Sequence, residues 1–121
     1  MPPTKPYETG DATWAPDPYH TGDPTIPNDE ARPWLIISIP QTYSHHGEDY
    51  LCAALTSVPK PDDPNYISLA EKDWIKGKPR KASWIDTQTL LTIKHSWTDG
   101  WIGRVSDGQT NRARRIVRRF F

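Results

Sequence analysis

Arg32 and Thr56 stand near the two ends of what reads as one β-hairpin, and together they supply a permanent cation and a hydroxyl. The first arm, Arg32-Pro33-Trp34-Leu35-Ile36-Ile37-Ser38-Ile39, stops at Pro40; the second, Tyr50-Leu51-Cys52-Ala53-Ala54-Leu55-Thr56-Ser57, stops before Pro59. A polar loop from Gln41 to Asp49 joins them. Setting Ile39 opposite Tyr50 makes the numbers of facing residues sum to 89, with Pro33 opposite Thr56 and Arg32 opposite Ser57. A slip of one or two residues keeps Arg32 beside the Thr56-Ser57 pair. A guanidinium beside two hydroxyls suits a phosphodiester in the geometry of cleavage. The same arrangement also suits a strand-end arginine that bonds a neighbouring hydroxyl, and on the hairpin alone that plainer use is preferred.

The chain that must position this pair has 121 residues, enough for one compact domain with a single core. Thirteen prolines and 35% hydrophobic residues argue against a bundle of long helices and for a barrel of short strands. Six Trp, five Tyr and two Phe can fill much of its interior. No apolar run approaches a membrane span and no signal segment opens the chain, so a cytoplasmic protein with no membrane contact is expected. Cys52, the single cysteine, sits mid-strand and reads as a buried small hydrophobe. His45-His46 and His95 lack metal-ligand spacing, and no Cys or carboxylate cluster supplies it; no metal and no cofactor is expected.

Net charge is zero, yet the halves differ. Residues 1–66 carry ten acids against Lys5, Arg32 and Lys60; residues 67–121 carry twelve bases against five acids. Such asymmetry suits a basic surface for nucleic acid or an acidic protein, or two surfaces that neutralise each other.

Along the chain, residues 1–9 read as a loose arm and 10–121 as one domain. Gly10-Asp11 turns into a strand from Ala12 to Ala15. The polar segment 16–31, rich in Pro, reads either as disorder or as a loop folding over whatever Arg32 binds. Both hairpin arms are apolar on both faces, which makes them central strands. A strand follows from Tyr66 to Leu69, then a helical turn begun by Ser68-Leu69-Ala70-Glu71 and ending near Trp74. Gly77 to Lys81 reads as a basic turn. Ala82–Asp86, Leu90–Lys94 and Trp101–Val105 read as strands, the last after an Asp99-Gly100 turn. Ser106 caps a terminal helix with Gln109 at the reciprocal position; Ala113, Ile116, Val117 and Phe120 form its apolar face, and five arginines much of the rest. Trp34, Trp84, Trp97 and Trp101 read as core or interface rings, with one or two able to stack bases.

Gly10-Asp11-x-x-Trp14, Asp17-Pro18, Arg32-Pro33 before an apolar strand ending in Ser38, a strand closing in Leu55-Thr56-Ser57, Gly103 in a later strand and a terminal helix occur in this order. In that order they resemble the MazF/PemK (Kid) toxins of type II toxin–antitoxin systems, over about Gly10 to Phe121. The resemblance implies a mostly β (α+β), SH3-like small barrel of the MazF/PemK/CcdB type with a C-terminal helix. It implies a homodimer that cleaves single-stranded RNA without a metal and is silenced by a cognate antitoxin. It places the catalytic residues on Arg32 and Thr56, and substrate-binding roles on Ser57, on Asp86 (with Gln88 in place of the family's adjacent Asp-Gln pair) and on His20. Two other readings of such a barrel are a non-catalytic inhibitor like the gyrase poison CcdB and a plain SH3-like binding module. The Arg32/Thr56 pair favours the nuclease, because a gyrase binder has no need of it.

Overall fold

A computed structural model describes residues 7–16, 31–38, 49–77 and 83–120. Among the described residues seven strands make one antiparallel sheet: β1 (Asp11–Ala15), β2 (Arg32–Ile36), β3 (Asp49–Thr56), β4 (Tyr66–Leu69), β5 (Trp74–Gly77), β6 (Ser83–Lys94) and β7 (Trp101–Val105). Helix α1 (Asp107–Arg118) follows. The strands lie side by side in the order β4-β6-β3-β2-β1-β7-β5, curled into a half-barrel. The mostly β barrel with a terminal helix expected from the sequence is therefore what forms.

Alternation along the central strands gives the sheet two apolar faces. On one, Leu35, Ala53, Leu55, Ile67 and Ile85 pack with Ala113, Ile116 and Val117 of α1. On the other, Trp34, Ile36, Tyr50, Cys52 and Ile93 form a second cluster. Burial pushes both the Cys52 thiol and the Tyr50 phenol up from their ordinary values, so both stay protonated. Tyr7 belongs to this second cluster rather than to a loose arm. Its ring is buried, and its N–H donates to the Tyr50 hydroxyl at 2.9 Å, which in turn pairs with His95 Nδ1 at 2.8 Å.

The turns follow their residue types. Gly10 and Gly100 take φ of +97° and +109°, which other residues rarely adopt. Asp11 closes the first turn by accepting from the Glu8 N–H at 2.7 Å, and its other oxygen meets the Trp101 indole N–H and Arg104. Ser106 caps α1, its hydroxyl accepting from the Gln109 N–H at 3.4 Å. Gln109 does not complete a capping box; its side chain donates instead to the Ser68 carbonyl. Of the expected apolar helix face, Ala113, Ile116 and Val117 are buried and Phe120 is half exposed.

Three expectations need correction. Ser68 starts no helix: it lies inside β4, opposite Trp84. The turn begins at Ala70, whose N–H donates to the Asp73 carboxylate at 2.8 Å, and spans Glu71–Asp73. Leu90–Lys94 is not a separate strand; with Ser83–Asp86 it forms the 12-residue β6, broken in register where Ala53 faces Leu90 but Ala54 faces Asp86. Finally, Trp74–Gly77 is a strand where none was expected; beyond Gly77, the rest of the turn expected up to Lys81 lies outside the described residues.

β5 pairs with β7 at very close range. A methyl group on Gly103 would run into the Lys76 carbonyl oxygen and lie 3.0 Å from the Gly77 carbonyl carbon, and one on Gly77 would meet the Ile102 carbonyl. Backbone atoms on both sides cannot yield cheaply. Gly103→Ala is therefore expected to lose about 1–3 kcal/mol of stability in urea unfolding. A variant as stable as the parent would show that the two strands do not approach this closely.

Candidate functional site

The site face is set by which residues lie opposite one another across five strands. β2 meets β3 with Trp34 opposite Ala54, Leu35 opposite Ala53 and Ile36 opposite Cys52. These pairs sum to 88, one less than the loop-end count predicts. The N–H groups of Ile37 and Ser38 both donate to the Leu51 carbonyl, at 3.0 and 3.3 Å, so two residues of the first arm meet one of the second. Such a bulge absorbs one residue and shifts everything beyond it. Carried two residues further, the observed register sets Arg32 opposite Thr56. The pair is thus tighter than the sequence count placed it, and Ser57 follows at the exposed end of the strand.

The row continues on both sides. Ala15 of β1 faces Arg32, Trp84 of β6 faces Thr56, and Ser68 of β4 faces Trp84. Facing residues of antiparallel strands present their side chains on the same side of the sheet. Arg32, Thr56, Trp84 and Ser68 therefore share one face, opposite to the face α1 covers. Arg32 and Ser68 are exposed, while Thr56 and Trp84 are half-buried. Thr56 Oγ1 accepts from the Val58 N–H at 3.2 Å, which fixes the oxygen and leaves its proton to be given to an acceptor.

One row away on the same face stand Trp34, Ala54, Asp86 and Tyr66. Asp86 is 9% exposed and holds the irregular stretch of β6 together. One carboxylate oxygen accepts from the Gln88 N–H at 2.9 Å and the other from the Thr89 hydroxyl at 2.6 Å. Thr87, between them, donates through its N–H and its hydroxyl to the Asn65 carbonyl. Asp86 and Gln88 thus belong to one bulge, with Gln88 exposed on it. Burial pushes the Tyr66 phenol up, helped by the charge of Asp86 and by its hydrogen bond to that side chain.

His20, most of segment 16–31, the loop 41–48 and His45-His46 lie outside the described residues. The loop Lys60–Asn65 is described, and it is turned twice on itself: Asp63 N–H donates to Lys60, Tyr66 N–H to the Asp63 carbonyl, and Asn65 N–H to the Asp63 side chain. Arg112, Arg115 and Arg118 are exposed on α1, and Arg119 at its C-cap; the helix packs on the other face of the sheet from the Arg32–Thr56 row. Among the described residues no group of three His, Cys, Asp or Glu is placed to hold a metal ion. No helix among them is long and apolar enough to cross a membrane.

The hairpin read from the sequence sets Arg32 near Thr56 and Ser57 at one end; Ser68 and Tyr66 gain their place on this face only through the pairing of β4 with β6, and the sequence leaves Trp84 undistinguished from the other rings. The alternation Trp84-Ile85-Asp86, with Ile85 fully buried against the helix side, is the signal that sets Trp84 and Asp86 on the site face.

The raised Tyr66 phenol yields a pH expectation. A group whose pKa rises on folding contributes stability below its unfolded value and loses it as pH climbs through the folded one. Tyr66 is therefore expected to stay protonated past pH 10, the ordinary phenol value. In Asp86→Asn its midpoint, followed by NMR of ring-labelled tyrosine, should fall yet stay raised, because burial, the larger cause, persists. An unmoved midpoint would show that Asp86 does not act on Tyr66.

Residues 14–121 match the family described as PemK-like, MazF-like toxin of type II toxin–antitoxin system. Among curated proteins, no sequence matches. An endoribonuclease from a mycobacterial species superposes with a TM-score of 0.67 at 16% identity, over 93% of this chain and 88% of that one. A mycobacterial endoribonuclease in complex with its cognate antitoxin gives 0.67 at 15% identity, over 92% and 90%. The Mycobacterium tuberculosis toxin MazF-mt6 gives 0.62 at 17% identity, over 88% and 91%. At these identities the likeness is one of fold.

Proposed function

The chain belongs to the PemK-like, MazF-like toxins of type II toxin–antitoxin systems, and we propose that it is an endoribonuclease cleaving single-stranded RNA at short sequences. The observation that carries this reading is the register of β2 on β3, which, extended two residues beyond the Trp34–Ala54 pair, sets Arg32 level with Thr56 on the sheet face away from the helix. In the proposed reaction the substrate's 2′-hydroxyl attacks the adjacent phosphorus in line. The 5′-oxygen of the next nucleotide leaves, giving 2′,3′-cyclic phosphate and 5′-hydroxyl ends. The protein then has to hold that geometry and stabilise charge on the non-bridging oxygens.

Arg32 suits the charge role. Its planar fork can hold two phosphate oxygens, and it stays protonated at any working pH. Thr56, its oxygen anchored by the Val58 N–H, donates a hydrogen bond to the same phosphate or relays a proton, so that the proton released by the 2′-hydroxyl is balanced by the one taken up at the leaving 5′-oxygen. Ser57 adds a second hydroxyl at the strand end. Asp86 acts as a positioning residue, because both of its oxygens are engaged in shaping β6 and in holding Tyr66. His20 is retained as a substrate-binding candidate from the first long loop. Neither a metal nor a cofactor enters these steps. The working form is a homodimer in the cytoplasm, restrained by a cognate antitoxin; the family and the antitoxin complex of a structural neighbour support the latter.

The test is to incubate the purified protein with a long single-stranded RNA in EDTA and to map the ends. Discrete cuts ending in cyclic phosphate are expected. Arg32→Ala and Thr56→Ala should each cost about a hundredfold in rate, the usual loss for one preorganised donor to an oxyanion, while remaining folded. Full activity in either folded variant would overturn its assignment. Intact RNA accompanied by arrest of DNA gyrase would replace the nuclease reading with that of a CcdB-like inhibitor.

A further inference from the structure

The row that pairs Arg32 with Thr56 does not stop at Thr56. The next residue across the sheet is Trp84, in direct register. We propose that Trp84 is the platform on which a base beside the scissile phosphate stacks, an inference that rests on the ribonuclease reading above.

Position comes first. Adjacent strands lie about 4.8 Å apart, so the Trp84 backbone is one strand spacing from Thr56 and two from Arg32, on the same face. A nucleotide whose phosphate is held between Arg32 and Thr56 can lay its own base over the next strand, β6. Trp84 is half-buried, as a stacking ring should be: its neighbours fix it, and part of it stays open to a ligand. Single-stranded RNA is commonly held in this way, on aromatic faces beside a cation.

The other tryptophans do not meet these conditions. Trp34 shares the face but is 1% exposed and enclosed in the second cluster. Trp97 packs on that same cluster, and Trp74 packs against the helix-side core. Trp14 faces Pro33, one residue out of phase with Arg32, and so lies on the opposite side of the sheet. Trp101 is exposed, but it stands two strands beyond Arg32 on β7, in the direction away from Thr56, with its indole N–H on Asp11. Trp84 alone of the six lies directly opposite Thr56, whose hydroxyl would hold the phosphate.

The experiment compares the parent with Trp84→Phe and Trp84→Leu on a short RNA carrying one cut site. Matched RNAs lack the base at the nucleotide on either side of the cut. In Trp84→Leu, KM should rise about tenfold with kcat little changed, as loss of one stacked base predicts. Trp84→Phe should recover most of the affinity. With the base removed at the stacked position, parent and Trp84→Leu should become equal; this separates stacking from any general weakening of the fold, which would penalise both RNAs alike. Equal KM for parent and Trp84→Leu on the complete RNA would overturn the proposal. So would a penalty in Trp84→Leu that persists at both abasic positions. If Trp84→Leu does not fold, Trp84→Met, which also lacks the aromatic face, takes its place in the same comparison and is held to the same outcomes. A parent that cuts no RNA would remove the ribonuclease reading itself, and this inference with it.

Discussion

Two consecutive N–H groups, those of Ile37 and Ser38, donate to the single carbonyl of Leu51, and the residue thereby absorbed decides which side chain lies opposite Thr56. In an antiparallel pair a shift of one residue exchanges the two faces of a strand. Without the bulge, Arg32 would come out of phase with Thr56, and Trp34 and Ile36 would be carried away together from Tyr50 and Cys52. The packing of that cluster and of the Leu35–Ala53 side against α1 therefore enforces the same register that joins the cation to the hydroxyl. Chemistry and stability depend here on one alignment.

The two faces of the sheet divide the work. Helix α1 closes one of them, burying Ala113, Ile116 and Val117 against Leu55, Ile67 and Ile85. The other face is filled at one end by Trp34, Tyr50, Ile93 and Tyr7 and left partly open at the other, where Arg32, Thr56, Trp84 and Ser68 lie in a row. Behind that row the irregular stretch of β6 is tied down by Asp86 and by Thr87 on Asn65. A carboxylate with both oxygens so occupied holds the strand's shape, which in turn holds Trp84 beside Thr56. The arginines of α1 sit on the far side of this arrangement.

Much of this is legible in the sequence because it is local. The arms of the hairpin, the turns at Gly10 and Gly100, and the helix from its Ser106 cap all rest on residue types acting within a few positions of themselves. What is not legible depends on distant partners. β5 has only four residues, one half-buried and three exposed, and exists through its pairing with β7 across two facing glycines. β6 reads as two strands because its three-residue interruption looks like a turn until Asp86 and Asn65 are seen to bridge it. Ser68 looks like a cap by its spacing, but the pairing of β4 with β6 claims it for a strand. Arg32 and Thr56 stay near one another under a one-residue change of register, since both lie at the same end of one hairpin. The place of Trp84 beside them could not be counted out, because β3 and β6 pair across a long interval of chain.

If Arg32 and Thr56 grip one phosphate, their contributions cannot be independent. The most direct measurement is a double-mutant cycle on the single-turnover rate of RNA cleavage, using Arg32→Ala, Thr56→Ala and both together. Groups that act as a unit are strongly non-additive, so the double variant should be little slower than the slower single variant, about a hundredfold below the parent. Losses that multiply to about ten-thousandfold would mean that the two side chains act at separate places, and would contradict the account.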